Sequence, residues 1–221
     1  MRTAYATSES TRMAFIMAAG ELFAKHGVKA VCVRTIAMKS GENTGSIHYH
    51  FGGKRGLLDA VVDYASKPWL NDPLGKMLRD NESLFSSRNG QALLTFNMID
   101  LFFKIILDEE RPSWCGMLMF QILQRDLSVA KSIVERCVTP TVNALSELYK
   151  RITGNDDPEM ILSWLATITA PVHLFSMDKA TIGKIHHINP QTASIKEKLM
   201  GMTIKSALVN LGLDRKEITS K

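Results

Sequence analysis

The chain has 221 residues, a formal net charge of +5 and 45% hydrophobic residues, enough to bury one large core or two small ones. Its longest apolar run, residues 98–107, is interrupted by Asp100 and Lys104, and its first residues contain no apolar signal region. The sequence therefore predicts a cytoplasmic protein without a membrane span.

Positive charge is concentrated towards the N-terminus. Residues 1–70 carry nine Lys and Arg against five Asp and Glu, so +4 of the net charge lies there. A surface that attracts phosphate would have this distribution, although charge alone fits an ordinary protein surface equally well.

Helical spacing of apolar residues recurs along the whole chain and no alternating strand pattern is found, so the sequence predicts an all-α fold. The first ten residues are expected to form a short disordered arm. Helices are predicted over about residues 11–25, 33–40, 44–50 and 54–67. Residues 71–90 are rich in Asn, Asp and Ser and predict a flexible connection or a poorly formed helix. Further helices are predicted over about residues 91–107, 113–124, 128–152, 158–177 and 191–211, and Pro140 and Pro171 should kink two of them.

Residues 36–58 have the pattern of a helix, a glycine-centred turn and a short second helix. Gly41 lies where the turn needs a positive φ, and Asn43 is a favourable N-cap for the second helix. Ile47 and Phe51 share one face of that helix and would anchor it to a core. This is the plan of a helix-turn-helix that places its second helix in the major groove of DNA.

The opposite face of that helix carries residues suited to DNA. Thr44, Gly45 and Ser46 are small, so the start of this helix could approach base edges and phosphates closely. Tyr49 offers a hydroxyl to phosphate and a ring to a thymine methyl group, and Lys54 adds a positive charge. Tyr49 and its neighbours could instead only cover a three-helix core, but the complete 23-residue pattern favours DNA binding.

Residues 11–65 resemble the DNA-binding domain of the TetR family of bacterial transcriptional regulators. The residues that carry the resemblance are Leu22, Phe23, Ala24, Gly27, Ile36, Ala37, Ser40, Gly41, Asn43, Gly45, Ile47, Tyr49, His50, Phe51, Lys54 and Leu57. Three positions depart from the family pattern: Glu42 replaces a small apolar residue, His48 replaces the first Tyr, and Gly53 replaces Ser or Asn. The DNA contacts that the resemblance implies are Arg34, Thr35, Thr44, Gly45, Ser46, His48, Tyr49 and Lys54.

The resemblance also implies the organisation and partners of the protein. Residues 1–56 would form the arm and the DNA-binding domain, and residues 57–221 a helical effector-binding and dimerisation domain, with the helix over residues 57–67 connecting the two. Such a protein would bind near-palindromic double-stranded DNA as a homodimer, and as a repressor it would be released by a small-molecule effector. The order of segments in residues 57–221 is similar to a TetR subgroup whose C-terminal domain has an unknown effector.

The last two long helices are the predicted dimer bundle. Their apolar residues would face either the chain's own core or the partner: Ile161, Trp164, Leu165, Ile168, Val172, Leu199, Met202, Ala207, Leu208 and Leu211. An effector pocket is predicted among the middle helices, although for each of its residues taken alone plain core is the favoured interpretation: Phe96, Phe103, Trp114, Met117, Phe120, Leu145, Tyr149 and His173.

No metal and no cofactor are predicted. The cysteines Cys32, Cys115 and Cys137 are scattered and odd in number, which favours free thiols, and neither CxxC nor HExxH spacing occurs. The adjacent pair His186–His187 is weak evidence for a metal, and Cys32 is assigned no role.

Two other functions remain open from the sequence. The second domain could only dimerise or bind a protein partner, and a pocket filled by its own side chains would favour that alternative. An enzyme is disfavoured because no nucleophile–base pair, phosphate-binding loop or metal spacing is present.

Overall fold

The structure is a computed structural model that describes residues 2–108, 110–124, 130–177 and 192–213. Every regular element in these ranges is helical, as the apolar spacing predicts, and none is a strand. The α-helices are α1 (Arg2–His26), α2 (Val33–Ser40), α3 (Thr44–Phe51), α4 (Lys54–Ser66), α5 (Pro73–Asp80), α6 (Arg88–Leu107), α7 (Trp114–Gln124), α8 (Ala130–Ile133), α9 (Thr139–Thr153), α10 (Pro158–Met177) and α11 (Ala193–Asn210). Short 3₁₀ turns cover Lys67–Trp69 and Glu82–Ser86, and a π-helical turn covers Val134–Val138.

The chain divides into two compact units. The first unit contains residues 1–68 and 109–135, and the second contains residues 69–108 and 136–221. Segment 109–135 therefore packs with the N-terminal helices, although 40 residues separate it from them in the chain.

The first unit is held together by α1, which packs against α2, α4 and α7. Phe15 and Phe23 of α1 are fully buried, as are Ile36, Ile47 and Leu57 of the next three helices. Burial of side chains of this size contributes about 1.5–3 kcal/mol each, so these five account for much of the stability of the unit. The predicted anchoring of α3 by Ile47 is confirmed.

The second unit has its own core, built by α5, α6, α9, α10 and α11. Phe102, Leu148 and Ile168 lie in this core with almost no exposed surface. The indole Nε1 of buried Trp164 donates a hydrogen bond of 3.2 Å to the carbonyl oxygen of Ala207, which joins α10 to α11 and satisfies the one polar atom of that ring.

The predicted disordered arm is wrong. Helix α1 begins at Arg2 and continues without interruption to His26, so residues 2–10 belong to the first helix. These residues contain no Pro or Gly that would break a helix, and Ala, Arg, Met and Glu in and after this segment are good helix formers.

The predicted loose connection over residues 71–90 is also wrong. Asp72 accepts a hydrogen bond of 3.0 Å from the N–H of Gly75, Pro73 occupies the first turn, and α5 follows. Leu74 and Leu78, one helical turn apart, are both buried. The cap, the proline and the apolar spacing are all helix signals, and the polar composition of the segment obscured them.

The long helix predicted over residues 128–152 is interrupted. A π-helical turn at Val134–Val138 separates α8 from α9. Pro140 has no N–H to donate to the carbonyl of Arg136, so the regular pattern of helical hydrogen bonds cannot continue through this point. At the start of α9 the hydroxyl of Thr141 donates a hydrogen bond of 2.7 Å to the carbonyl oxygen of Cys137.

Helix α6 is long and apolar enough to cross a membrane by length and composition alone. Half of its most apolar stretch of 18 residues is buried within the protein, and core helices of folded domains have the same length and composition. Lys104 and Asp100 form an ion pair of 2.7 Å on its surface.

Candidate nucleic-acid interface

The turn between α2 and α3 is built by Gly41 and Asn43. Gly41 ends α2 with a φ of 74°, and its N–H bonds to the carbonyl of Ala37. The side-chain oxygen of Asn43 accepts a hydrogen bond of 2.8 Å from the N–H of Gly45 and begins α3. Both predicted roles are confirmed, and together they fix the direction in which α3 leaves the turn.

Helix α3 is anchored by one face and open on the other. Ile47 is fully buried, and Phe51 packs edge-on against Phe15 with ring centroids 6.1 Å apart. On the other face Tyr49 is 82% exposed, although a Tyr ring would bury readily against an apolar neighbour. The structure thus presents Tyr49 to solvent rather than using it to cover the three-helix core.

All eight predicted DNA-contacting residues lie in the first unit, on α2, on α3 or at the first residue of α4. Gly45, His48 and Arg34 are exposed, and the other predicted residues apart from Tyr49 are half-buried: Thr35, Thr44, Ser46 and Lys54. Because α3 packs against both α2 and α4, these residues occupy adjoining elements of one unit.

Glu42, the first departure from the family pattern, has a specific partner. Its carboxylate accepts a hydrogen bond of 3.1 Å from the hydroxyl of Thr11 in α1. The charge at this turn is therefore accommodated by the preceding helix, a contact 31 residues away that local sequence cannot reveal.

Gly53, which also departs from the family pattern, has a φ of 122°, a region that residues with a Cβ rarely adopt. It precedes α4 without a side-chain cap. A Cβ added at Gly53 would lie 3.6 Å from Cε1 of His48, the remaining departure, so the histidine ring lies directly beside this glycine. The Ser or Asn of the family pattern would be strained in this backbone.

Cys32 and Thr35 form a contact that the sequence analysis missed. The thiol sulfur lies 3.2 Å from the Thr35 hydroxyl, and this hydrogen bond lowers the pKa of the Cys32 thiol from its ordinary value. The spacing of three residues across the N-cap of α2 is the signal that could have shown it.

The predicted pocket residues are divided between the two units. Trp114, Met117 and Phe120 belong to α7 in the first unit, where Trp114 and Met117 line an open groove. The five others belong to the second unit: Phe103, Leu145 and Tyr149 are buried core, Phe96 packs on that core, and His173 is partly exposed.

His173 packs its ring edge-on against Phe102, with centroids 6.1 Å apart. Desolvation by apolar neighbours lowers the pKa of this histidine, even though a large part of its side chain stays accessible. Within the described ranges no three His, Cys, Asp or Glu side chains converge on a metal position, and His186–His187 lies outside those ranges.

Helices α10 and α11 bury most of the predicted apolar residues and expose others. Eight of the ten predicted residues are buried within the chain itself, Leu199 is partly buried, and Met202 is 73% exposed. Outside the predicted set, Leu162, Leu174 and Val209 are each exposed by more than 60%.

Comparison with protein families finds two matches that divide the chain. Residues 15–61 match the family model for bacterial regulatory proteins of the tetR family. Residues 95–206 match the model for the C-terminal domain of the HTH-type transcriptional dual regulator CecR, which is half of this chain.

Curated relatives are similar over part of the chain. The HTH-type transcriptional regulator SrpR of Pseudomonas putida is 37% identical over 67 residues, which cover 30% of this chain and 32% of SrpR. An HTH-type transcriptional repressor from Mycobacterium tuberculosis is 41% identical over 56 residues, 25% of this chain and 30% of that protein. The chain thus matches about a third of the length of these relatives.

Solved structures resemble the chain over most of its length. A TetR-family regulator from Mesorhizobium loti superposes with a TM-score of 0.54 and 18% identity, covering 93% of this chain and 96% of that one. The structure of SmeT with triclosan gives a TM-score of 0.58 and 17% identity over 89% of this chain and 90% of that one. At these identities the similarity establishes the shared fold.

Proposed function

Because the chain belongs to the TetR family of bacterial transcriptional regulators, we propose that it is a repressor that binds a near-palindromic operator as a homodimer and leaves it when a small molecule binds. The protein is a helix-turn-helix regulator, and its relatives and fold are those of regulators rather than enzymes. Cytoplasmic location is part of the proposal because the chromosome is its target.

The observation that carries the proposed DNA contact is the asymmetry of α3. Its core face is locked by buried Ile47, while Tyr49 on the other face is 82% exposed beside the small residue Gly45. Helix α3 is capped at both ends, by Asn43 and Gly52, so it holds Tyr49 in a fixed position on the surface. An aromatic side chain held in this way is available to contact a partner. Arg34 and Lys54 on the flanking helices supply charge for the phosphates.

Repression is favoured by a relative that is itself a transcriptional repressor and shares 41% identity over 56 residues. Dimerisation is favoured by the apolar face of α10 and α11, because one helix-turn-helix buries too little surface for specific binding and a two-fold dimer reads two half-sites. A small-molecule effector is favoured by SmeT, a protein of this fold whose structure contains triclosan.

A second candidate is a regulator whose second unit only dimerises or binds a protein. Three of the predicted pocket residues, Phe103, Leu145 and Tyr149, are packed into the core of that unit. A core filled by its own side chains favours this alternative over an effector pocket at those residues.

Selection of binding sites from random duplexes, followed by footprinting, tests the proposal. The selected sites should show two-fold symmetry with half-sites about one helical turn apart. Tyr49→Ala should raise the operator Kd about tenfold, Tyr49→Phe should do so less, and both variants should unfold at the wild-type temperature. Sites without two-fold symmetry, or a Tyr49→Ala variant of unchanged affinity at several salt concentrations, would contradict it.

A further inference from the structure

A groove crosses the first unit between α1, the last turn of α2 and α7. It is open to solvent, its volume is about 960 Å³, and every residue that lines it belongs to the first unit. Grooves and pockets that bind small molecules typically have volumes of ~300–1,000 Å³, so the space suits a small organic ligand.

The floor of the groove is apolar and adaptable. It is lined by Met17 and Ala18 of α1 and by Trp114 and Met117 of α7. The Trp114 ring lies flat against α1 because Gly20 has no side chain there; a Cβ at Gly20 would come within 2.5 Å of it. Trp114 itself is buried, whereas Met17 and Met117 are half-buried, and their flexible side chains offer a surface that apolar bodies of several shapes can contact.

The rim of the groove is positively charged. It carries Lys25, Lys39 and Glu21, and Lys39 Nζ pairs with Glu21 Oε1 at 2.9 Å. Lys25 forms no ion pair with any side chain in the described ranges. The rim therefore has one positive charge that is not balanced, directly beside an apolar floor.

Gln121 closes the α7 side of the groove. Its Nε2 donates a hydrogen bond of 2.9 Å to the carbonyl of Ala24, which lies in the last turn of α1 where helical carbonyls lack partners. This bond holds α7 on α1, so the space between the helices is part of the fold.

We propose that this groove is a binding site for an amphipathic organic carboxylate. Its carboxylate would pair with Lys25 and its apolar body would lie along Met17 and Met117. An inorganic anion would leave the apolar side chains of the floor exposed to water. An uncharged apolar molecule would leave the charge of Lys25 without a partner. The site goes beyond the proposed effector response, because its occupation needs neither DNA nor a second copy of the chain.

Calorimetric titration of the full chain with decanoate, in the absence of DNA, tests the site. One decanoate should bind per chain. Acetate and 1-decanol should bind at least tenfold more weakly, because acetate lacks the long alkyl chain and 1-decanol lacks the carboxylate. Lys25→Gln should weaken decanoate binding by about tenfold. Lys29→Gln, which removes an exposed lysine just beyond α1, is the matched control and should leave it unchanged.

Glu21→Gln distinguishes binding at this groove from non-specific adsorption of decanoate to apolar surface. It releases Lys39 from its ion pair, so decanoate should bind several-fold more tightly. No saturable heat, equal binding of 1-decanol, or indifference to both Lys25→Gln and Glu21→Gln would overturn the proposal. Operator binding by the ligand-free protein is measured separately, so failure of the groove and failure of the proposed function can be told apart.

Discussion

Thr11 donates a hydrogen bond of 3.1 Å to the carboxylate of Glu42 and thereby joins α1 to the turn of the helix-turn-helix. Both residues are half-buried, so water only partly competes with this contact. Where the family pattern has a small apolar residue, this chain has a polar contact between the turn and α1. The position of α3 thus depends on α1 through a charged hydrogen bond as well as through the shared core.

Removing this hydrogen bond should destabilise the first unit. A hydrogen bond to a charged group that is partly exposed contributes about 1 kcal/mol, so Thr11→Val should lower the free energy of unfolding by roughly that amount. Chemical denaturation of Thr11→Val, Glu42→Gln and the double variant measures the coupling. Ser10→Ala, at the exposed neighbouring position, is the control. Strictly additive losses would show that the two side chains do not interact.

Two helical glycines of the first unit should respond to alanine in opposite directions. A Cβ at Gly20 would meet the Trp114 ring at 2.5 Å, whereas a Cβ at Gly116 would meet nothing within 4 Å. Gly116→Ala should stabilise by about 0.5–1 kcal/mol because Ala loses less backbone entropy in a helix. Gly20→Ala should destabilise by about 1–3 kcal/mol through overpacking.

Thermal unfolding monitored by circular dichroism compares the two glycine variants directly. Indole fluorescence should also change only in Gly20→Ala, because that substitution alone displaces Trp114. If Gly20→Ala stabilised the protein as much as Gly116→Ala, the close packing of α7 on α1 would be wrong.

The helix-turn-helix could be predicted because its signals are local. The conformation of Gly41 and the cap by Asn43 follow from residues within three positions of each other. The Thr11–Glu42 contact spans 31 residues, and the packing of Trp114 on Gly20 spans 94, so neither is visible in a window of helical length.

For α10 the sequence left open whether the apolar residues face the chain's own core or a partner, and the structure buries Ile161, Trp164, Leu165, Ile168 and Val172 within the chain. Apolar residues occupy two sides of this helix, with buried Ile161 directly followed by exposed Leu162. Periodicity identifies such a helix but cannot decide which side faces the chain's own core. That assignment depended on α11, whose residues approach α10 only in the folded chain.

Arg151 and Glu82 should make the second unit sensitive to acid. The guanidinium donates hydrogen bonds of 2.7 and 2.5 Å to the two carboxylate oxygens, and its Cζ lies 3.7 Å from the centroid of the Phe85 ring. The hydrogen bond from Arg151 lowers the pKa of Glu82 below its ordinary value of 4.5. The stabilisation is therefore complete above that value and is lost as the pH falls through the lowered pKa of the folded state.

Unfolding measured between pH 6 and pH 3 checks this dependence. Arg151→Gln should lose stability less steeply than the wild type as the pH falls below 4.5, while Lys150→Gln, an exposed cation on the same helix, should follow the wild-type curve. Parallel curves for wild type and Arg151→Gln would show that the pair does not couple to protonation.

Charges on the exposed apolar face of α10 and α11 should separate the proposed dimer. Leu162 and Met202 are 68% and 73% exposed in the single chain, so Leu162→Glu and Met202→Glu should leave the fold of each chain intact. In a dimer with that face at its centre, each substitution would bury an unpaired carboxylate twice. Sedimentation should then show monomers, and operator affinity should fall about a hundredfold because each chain reads a half-site alone.

Val142→Glu on α9 is the matched control for these variants. It adds the same charge at an apolar position exposed by 39% on another helix of the same unit, and should leave both mass and operator affinity unchanged. Circular dichroism of all three variants separates loss of association from loss of folding. A Met202→Glu variant that sediments as a dimer would place the interface elsewhere, and the two-fold reading of the operator would then depend on another surface of the chain.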